Sequence, residues 1–286
     1  MRKKLFLVLA VVCIAAVFAG VFAGCNNGDG KGGGAAAGDK IFTEEATLQG
    51  ILTALENAES VSFVYDYTVR FFNDPEEIEA QSTYREIAEY TQTMMRESLD
   101  NTTVYADGTT GGYFADSYTF AEGDMVYMIS SYRPSGEEVE IDGTKCMSKY
   151  SEFSAAEYSA NLVEAIEYML TEKDGKVVFN EAEAPEGYVA GSGYVVLEGS
   201  VLRIGYKEES ETSAQEFEYR ISGINATTVT VPAEIAAEKA NASWQETVHY
   251  NGVTYEKRED ANGEYYVAHA GASAVPEETI NGLPVR

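Results

Sequence analysis

The sequence predicts an α+β protein: a curved, half-barrel-like antiparallel sheet with an N-terminal helix and a second helix packed on it, followed by a small C-terminal β-hairpin segment. Three observations carry this. Amphipathic helical patterns occur twice, each ahead of a series of strands, so the order is helix, strands, helix, strands rather than the alternation that builds a parallel sheet. One stretch alternates with period two and puts Val61, Phe63, Tyr65, Tyr67, Val69 and Phe71 on one face. Elsewhere, short apolar runs are separated by Asp107-Gly108, Glu122-Gly123-Asp124 and Pro134-Ser135-Gly136, the punctuation of an antiparallel meander. With 286 residues, 45% apolar and 12% aromatic, the chain can bury a sizeable core, and wholesale disorder is excluded. Three cysteines are too few for a disulfide scaffold.

The chain divides into four parts, the first of which is residues 1–24. Arg2, Lys3 and Lys4 precede an unbroken apolar run from Leu5 to Ala23 that ends on small residues before Cys25. A positive n-region, an apolar h-region and a small-residue cleavage site make an export signal. The run is also near the ~20 residues needed to span a bilayer, so length alone does not separate a leader from an anchor. Phe22-Ala23-Gly24-Cys25 resembles the lipobox of bacterial lipoproteins, with Phe22 where that family usually has an aliphatic residue. The resemblance implies cleavage before Cys25, attachment of a lipid to its thiol, and an extracytoplasmic protein anchored to the cell membrane. Residues 25–40, rich in Gly and Ala, then read as a flexible tether of about 20 Å r.m.s. span. Gly28-Asp29-Gly30-Lys31-Gly32-Gly33 fits G-x-G-x-x-G, but without a strand before it or a helix after it the spacing carries no dinucleotide site.

Residues 41–241 form the α+β domain. Thr43 followed by Glu44 and Glu45 predicts a helix start, with Leu48, Ile51, Leu52, Leu55 and Ala58 on one face. The long aromatic strand follows, until Asn73-Asp74-Pro75 breaks it. Residues 76–99 fit either period and are read as strand-like. Short strands are expected near 103–107, 112–120, 125–131 and 138–142. Ser154-Ala155-Ala156-Glu157 is a capping box opening a second helix whose stripe is Tyr158, Leu162, Ile166, Met169 and Leu170. Further strands are expected at 176–180, 186–190, 193–198, 200–207, 215–223 and 227–231, with a helical turn after Pro232. Residues 242–286 form a hairpin appendage. Asn251-Gly252 is a strong hairpin signal and Asn262-Gly263 supplies another turn.

This layout, with Ser60 to Phe63 opening the long strand, a helix from Ser154 and a closing Ile224-Asn225-Ala226-Thr227-Thr228-Val229-Thr230-Val231-Pro232, resembles the LolA/LppX-type lipoprotein-carrier fold. That resemblance implies an apolar cavity between sheet and helices for a hydrophobic small molecule or lipid, with Phe63, Tyr65, Tyr67 and Phe71 as its wall. The segment from Tyr255 through Tyr265-Tyr266-Val267 to Val275-Pro276 and Ile280-Asn281-Gly282-Leu283-Pro284-Val285 resembles the lead-in of BspA-type leucine-rich repeat surface proteins. It implies an alternative role in cell-surface interaction or adhesion.

Catalytic chemistry has little to draw on. His249 and His269 have no partner at metal-ligand spacing, so neither a metal nor any other cofactor is expected. Gly191-Ser192-Gly193 lacks the first glycine of a nucleophile elbow, because Ala190 stands there. Cys146 lies between Lys145 and Lys149, which would lower its pKa, yet no base accompanies it. Acidic runs at Glu76-Glu77-Glu79, Glu137-Glu138-Glu140-Asp142, Glu181-Glu183-Glu186 and Glu208-Glu209-Glu211 raise glycoside hydrolysis or calcium binding, but beside turns they read as solvated strand ends. Forty-seven acidic against 20 basic residues, a net charge of −27, argue against nucleic acid as a partner. The expectation is a non-catalytic protein.

Overall fold

The computed structural model describes residues 41–74, 77–151, 153, 155–269 and 279–286. Residues 1–40, which hold the expected leader, Cys25 and the expected tether, lie outside the described residues, as do Glu76, Ser154 of the capping box and Val275-Pro276. Helix α1 (Leu48–Glu56) precedes strands β1 (Ser60–Asp74), β2 (Glu77–Thr91), β3 (Met94–Tyr105), β4 (Thr110–Glu122), β5 (Met125–Pro134) and β6 (Glu140–Met147). Helix α2 (Ala155–Met169) and the hairpin β7 (Leu170–Lys173) and β8 (Lys176–Phe179) follow. Then come β9 (Tyr194–Glu198), β10 (Val201–Glu209), β11 (Ser213–Ser222) and a short helix α3 (Ala233–Ala237). The C-terminal part contains β12 (Ser243–Trp244), β13 (Thr247–Tyr250), β14 (Val253–Asp260), β15 (Gly263–Ala268), β16 (Thr279–Ile280) and β17 (Leu283–Pro284).

The architecture is α+β with a large open sheet, as the element order predicts. Ten strands run in the order β12-β6-β5-β4-β3-β2-β1-β11-β10-β9. All pairs are antiparallel except the two-residue β12, which runs parallel to β6. At 15 residues each, β1 and β2 are about 50 Å long, and strands of that length coil with the sheet's twist. Residues 76–99 contain a break that their sequence hides: β2 ends at Thr91 and β3 begins at Met94, where the Thr91 hydroxyl accepts from the Met94 amide at 3.1 Å. Thr resembles a strand residue by propensity, but here its hydroxyl closes the turn.

Three other expectations are corrected. Helix α1 starts at Leu48 rather than after Thr43, because the Thr47 hydroxyl accepts from Gly50 N at 3.1 Å and caps it. Thr43 instead closes a turn with Ala46, while Phe42 exchanges backbone hydrogen bonds with Gly199 at 2.7 and 2.8 Å. Residues 186–190 make only a bridge between Tyr188 and Glu208. Residues 227–231 cross the sheet as irregular chain, where Val229 and Val231 pack with Ile235 of α3 on Tyr118, Phe120 and Ile129. The helical turn after Pro232 is α3.

The pleat gives the sheet two unlike faces. The inner one carries the β1 aromatics, and over them pack Ile51, Leu52 and Leu55 of α1 with Val163, Ile166 and Met169 of α2. Burying the three α1 side chains stabilises by roughly 5–9 kcal/mol before the cost of ordering the helix. The C-terminal hairpins cover another part of the same face. Val248, Tyr255, Tyr266 and Ile280 enclose a core with Val126 of β5 and Cys146 of β6. Asn251-Gly252 and Asn281-Gly282 both have positive φ, the conformation the two-residue hairpin turns need.

Candidate functional site

The register defines the site. On the inner face, Tyr67 stands opposite Tyr84 on β2 and Phe217 on β11, and Tyr206 follows on β10. On the other side Tyr84 faces Asn101 on β3, and Asn101 faces Tyr113 on β4. One row perpendicular to the strands thus reads Tyr206, Phe217, Tyr67, Tyr84, Asn101, Tyr113. Its rings stack in succession, with centroids 4.7 Å apart for Tyr206 and Phe217, 4.9 Å for Phe217 and Tyr67, and 5.3 Å for Tyr67 and Tyr84. Tyr113 continues to Tyr132 of β5 at 5.7 Å. Such offset pairs add about 0.5–1.5 kcal/mol each beyond area burial.

The row runs from core to surface. Tyr206 and Phe217 are buried, with Phe179 of β8 and Tyr188 against Tyr206, while Tyr67, Tyr84 and Tyr113 are half-buried and Tyr132 is 42% exposed. Phe71, at the end of β1, is 41% exposed. Of the four residues named from the sequence, Phe63 and Tyr65 therefore belong to the packed part. Tyr65 is 8% exposed and stacks on Tyr219 at 4.8 Å. Tyr67 and Phe71 lie toward the open part. Burial and the neighbouring Tyr84 hydroxyl push the Tyr67 phenol up to about 12, and its hydroxyl donates to Gln215 Oε1 at 3.0 Å.

Two carboxylates that the sequence reading did not single out lie further along the same face: Glu86, one same-face step from the aromatic row, and Glu97, opposite Ala88 and Ser117 and about 13–14 Å along β3 from Asn101. Glu86 of β2 is 8% exposed, opposite Tyr65 on one side and Leu99 on the other. Glu97 and Asn101 sit two residues to either side of Leu99, so both are diagonal neighbours of Glu86, about 7–8 Å away along the sheet. Burial first, then the Glu86 carboxylate, push the Glu97 carboxyl up to about 7. Asn101 is 7% exposed, and its amide nitrogen has no hydrogen-bond partner among the described residues. Ser82 pairs with Thr103 at 2.8 Å and Ser130 with Ser117 at 3.0 Å across the strands. The signal was present in the sequence as Tyr84-x-Glu86-x-Ala88, but only the pairing with β3 assembles the group.

Charge is segregated between the faces. The basic residues of the large sheet's strands point outward: Arg85 to Asp66 at 3.8 Å, Arg96 to Asp116 at 2.9 Å, and Arg220 to Glu218 at 2.8 Å. Arg203, Lys207 and Arg70 do the same with Glu198 and Glu216. Arg133 and Lys145 lie over Phe114 and Trp244 on that outer face. Among the described residues the inner face of these strands holds Glu86, Glu97, Glu140, Asp142 and Glu208 but no Lys, Arg or His.

The remaining sequence candidates are dispersed. Glu137, Glu138, Glu140 and Asp142 are exposed, as are Glu181, Glu183 and Glu186. Glu208 is the exception in its run, half-buried and pushed up to about 7 by burial. Among the described residues no group of three or more His, Cys, Asp or Glu is placed to hold a metal ion. His269 contacts Glu256 at 3.1 Å and His249 Nδ1 contacts the Thr254 hydroxyl at 3.1 Å. Ser192 accepts from the Lys207 amide at 3.1 Å as part of a turn. Cys146 corrects the expectation of a lowered pKa: it is fully buried, and burial pushes its thiol up to about 11, while Lys145 lies over Trp244 and Lys149 over Tyr150. No protein-family model matches the chain, and no curated protein is similar to it.

Proposed function

We propose that this chain is an extracytoplasmic lipoprotein, held to the membrane by lipid on Cys25, that binds an apolar or amphiphilic ligand without catalysing a reaction. The observation that carries the binding role is the aromatic row that leaves the packed core at Tyr67 and continues through Tyr84 and Tyr113 to the exposed Tyr132. Ligand sites are mostly apolar walls with a few placed polar groups, and this row contains Asn101, with Glu86 and then Glu97 further along the same face. The lipobox-like Phe22-Ala23-Gly24-Cys25 supports the anchor.

Native mass spectrometry of the full chain released from membranes in a neutral detergent tests both parts. The expected result is a chain beginning at a diacylglyceryl-modified Cys25 that carries a stoichiometric mass lost on solvent extraction. An unmodified Cys25 would remove the anchor. A bare polypeptide mass, unchanged by added lipid or alkyl ligands, would remove the binding role and leave cell-surface interaction, which the C-terminal segment's resemblance supports.

A further inference from the structure

The two faces of the sheet differ in a way that a neutral lipid site does not require. Every Lys and Arg on the strands of the large sheet lies outward, while the inner face combines Tyr67, Tyr84 and Tyr113 with the carboxylates of Glu86 and Glu97. Aromatic faces and carboxylates both attract positive charge, the first through the ring quadrupole and the second directly. An anionic ligand would meet two carboxylates here, and among the described strand residues no Lys or Arg shares their face. A ligand with a cationic nitrogen would instead offset both carboxylates, of which Glu97 is held toward its protonated form by burial first and by the Glu86 charge second.

A second observation points to a ligand independently. Asn101 interrupts the aromatic row, is 7% exposed, and holds an amide N–H2 that no described residue satisfies. Buried donors are hydrogen-bonded as a rule, because leaving one unmade costs about 1–3 kcal/mol. Asn101 shares the inner face with Glu86 and stands between Tyr84 and Tyr113. An acceptor oxygen on a ligand lying along the row would complete it.

We infer that the inner face binds an amphiphilic organic ammonium ion, with its charged nitrogen between Glu86 and Glu97, its hydrocarbon running from there onto Tyr67, Tyr84 and Tyr113, and an oxygen within reach of the Asn101 amide. This rests on the binding role proposed above and narrows it to one charge type. The test uses the full chain in dodecyl maltoside with three probes of equal chain length, hexyltrimethylammonium, 1-hexanol and hexanoate, titrated by calorimetry. Hexyltrimethylammonium is expected to bind at least tenfold more tightly than hexanol, with hexanoate weakest. Glu97→Gln is expected to weaken the cation about tenfold more than it weakens hexanol, a split that general loss of structure would not produce. Glu86→Gln should do the same, and because it is the more buried of the two, its melting curve serves as the folding control. Equal or tighter binding of hexanol or hexanoate would overturn the cation assignment and leave the apolar-ligand reading standing. Binding of none of the three would overturn both.

Discussion

Gly112 on β4 lies so close to Asn101 on β3 that a β-carbon at Gly112 would stand 2.0 Å from the Asn101 carbonyl oxygen. Gly112 also has φ of +150°, so both space and backbone exclude a side chain there. The glycine thus sets how β3 and β4 meet beside the residue that interrupts the aromatic row. Gly112→Ala is expected to cost about 2–3 kcal/mol in urea unfolding and to shift the backbone NMR resonances of Asn101 and Thr102. Unchanged stability and unchanged Asn101 resonances would show that the close approach does not hold the strand.

Tyr65 and Phe71 share a strand and a face but differ in cover. Tyr65 is enclosed by Tyr219, Phe217 and Tyr67, whereas Phe71 is 41% exposed. Truncating Tyr65 leaves a cavity, so Tyr65→Ala should lose about 3–5 kcal/mol. Phe71→Ala should lose about 1 kcal/mol. Equal losses in chemical denaturation would mean that the cover ends elsewhere along β1.

Stability should fall as pH rises through neutrality. Glu97 and Glu208 are each raised from 4.5 to about 7 in the folded chain, mainly by burial. Between these values the unfolded chain loses the proton and the folded chain keeps it, so folding binds protons and the stability present at low pH is lost as pH passes through about 7. Glu216 and Glu218 are shifted downward, so their opposite contribution falls below 4.5 and leaves the window clear. The Tm should therefore drop between about pH 5 and pH 8, and the drop should be smaller in Glu97→Gln. A flat profile in the parent chain would contradict the burial of both carboxyls.

Asn281 ties the last hairpin to the large sheet. Its side-chain oxygen accepts from the Met147 amide at 2.9 Å, its nitrogen donates to the Tyr266 hydroxyl at 3.0 Å, and that hydroxyl donates to the Gln245 carbonyl at 2.7 Å. Its φ of +53° is one that Asn tolerates better than residues lacking a short polar side chain. Asn281→Ala should cost about 2–4 kcal/mol, since buried donors and acceptors lose their partners. Hydrogen exchange at the Met147 amide would report it directly, and unaltered protection there would refute the link.

Local features were legible where one stretch of chain determined them alone. The period-two face of Val61 to Phe71, the apolar stripe of α1, and the Asn-Gly turns at Asn251 and Asn281 follow from side-chain periodicity and from the residues that tolerate positive φ. Thr43 misled because two threonines compete for the cap, and the bonds between Phe42 and Gly199 hold the chain extended until Thr47 can start the helix. Val229 and Val231 alternate like a strand, yet they serve to cover Tyr118 and Phe120 without joining a ladder.

The sequence by itself determined the α+β class, the acidic balance, the lipobox-like Cys25 and which β1 residues share a face. Only the tertiary structure decided that Glu86, Glu97 and Asn101 share one face, and that the Lys and Arg of the large sheet's strands lie on the opposite one. The reason is register. Alternation places a residue on one of two faces within its own strand, but which residues of neighbouring strands stand beside it depends on where turns fall, and a slip of one residue would exchange the two faces. The turn after Thr91 sets that register for β2 and β3, and with it the environment of both carboxylates.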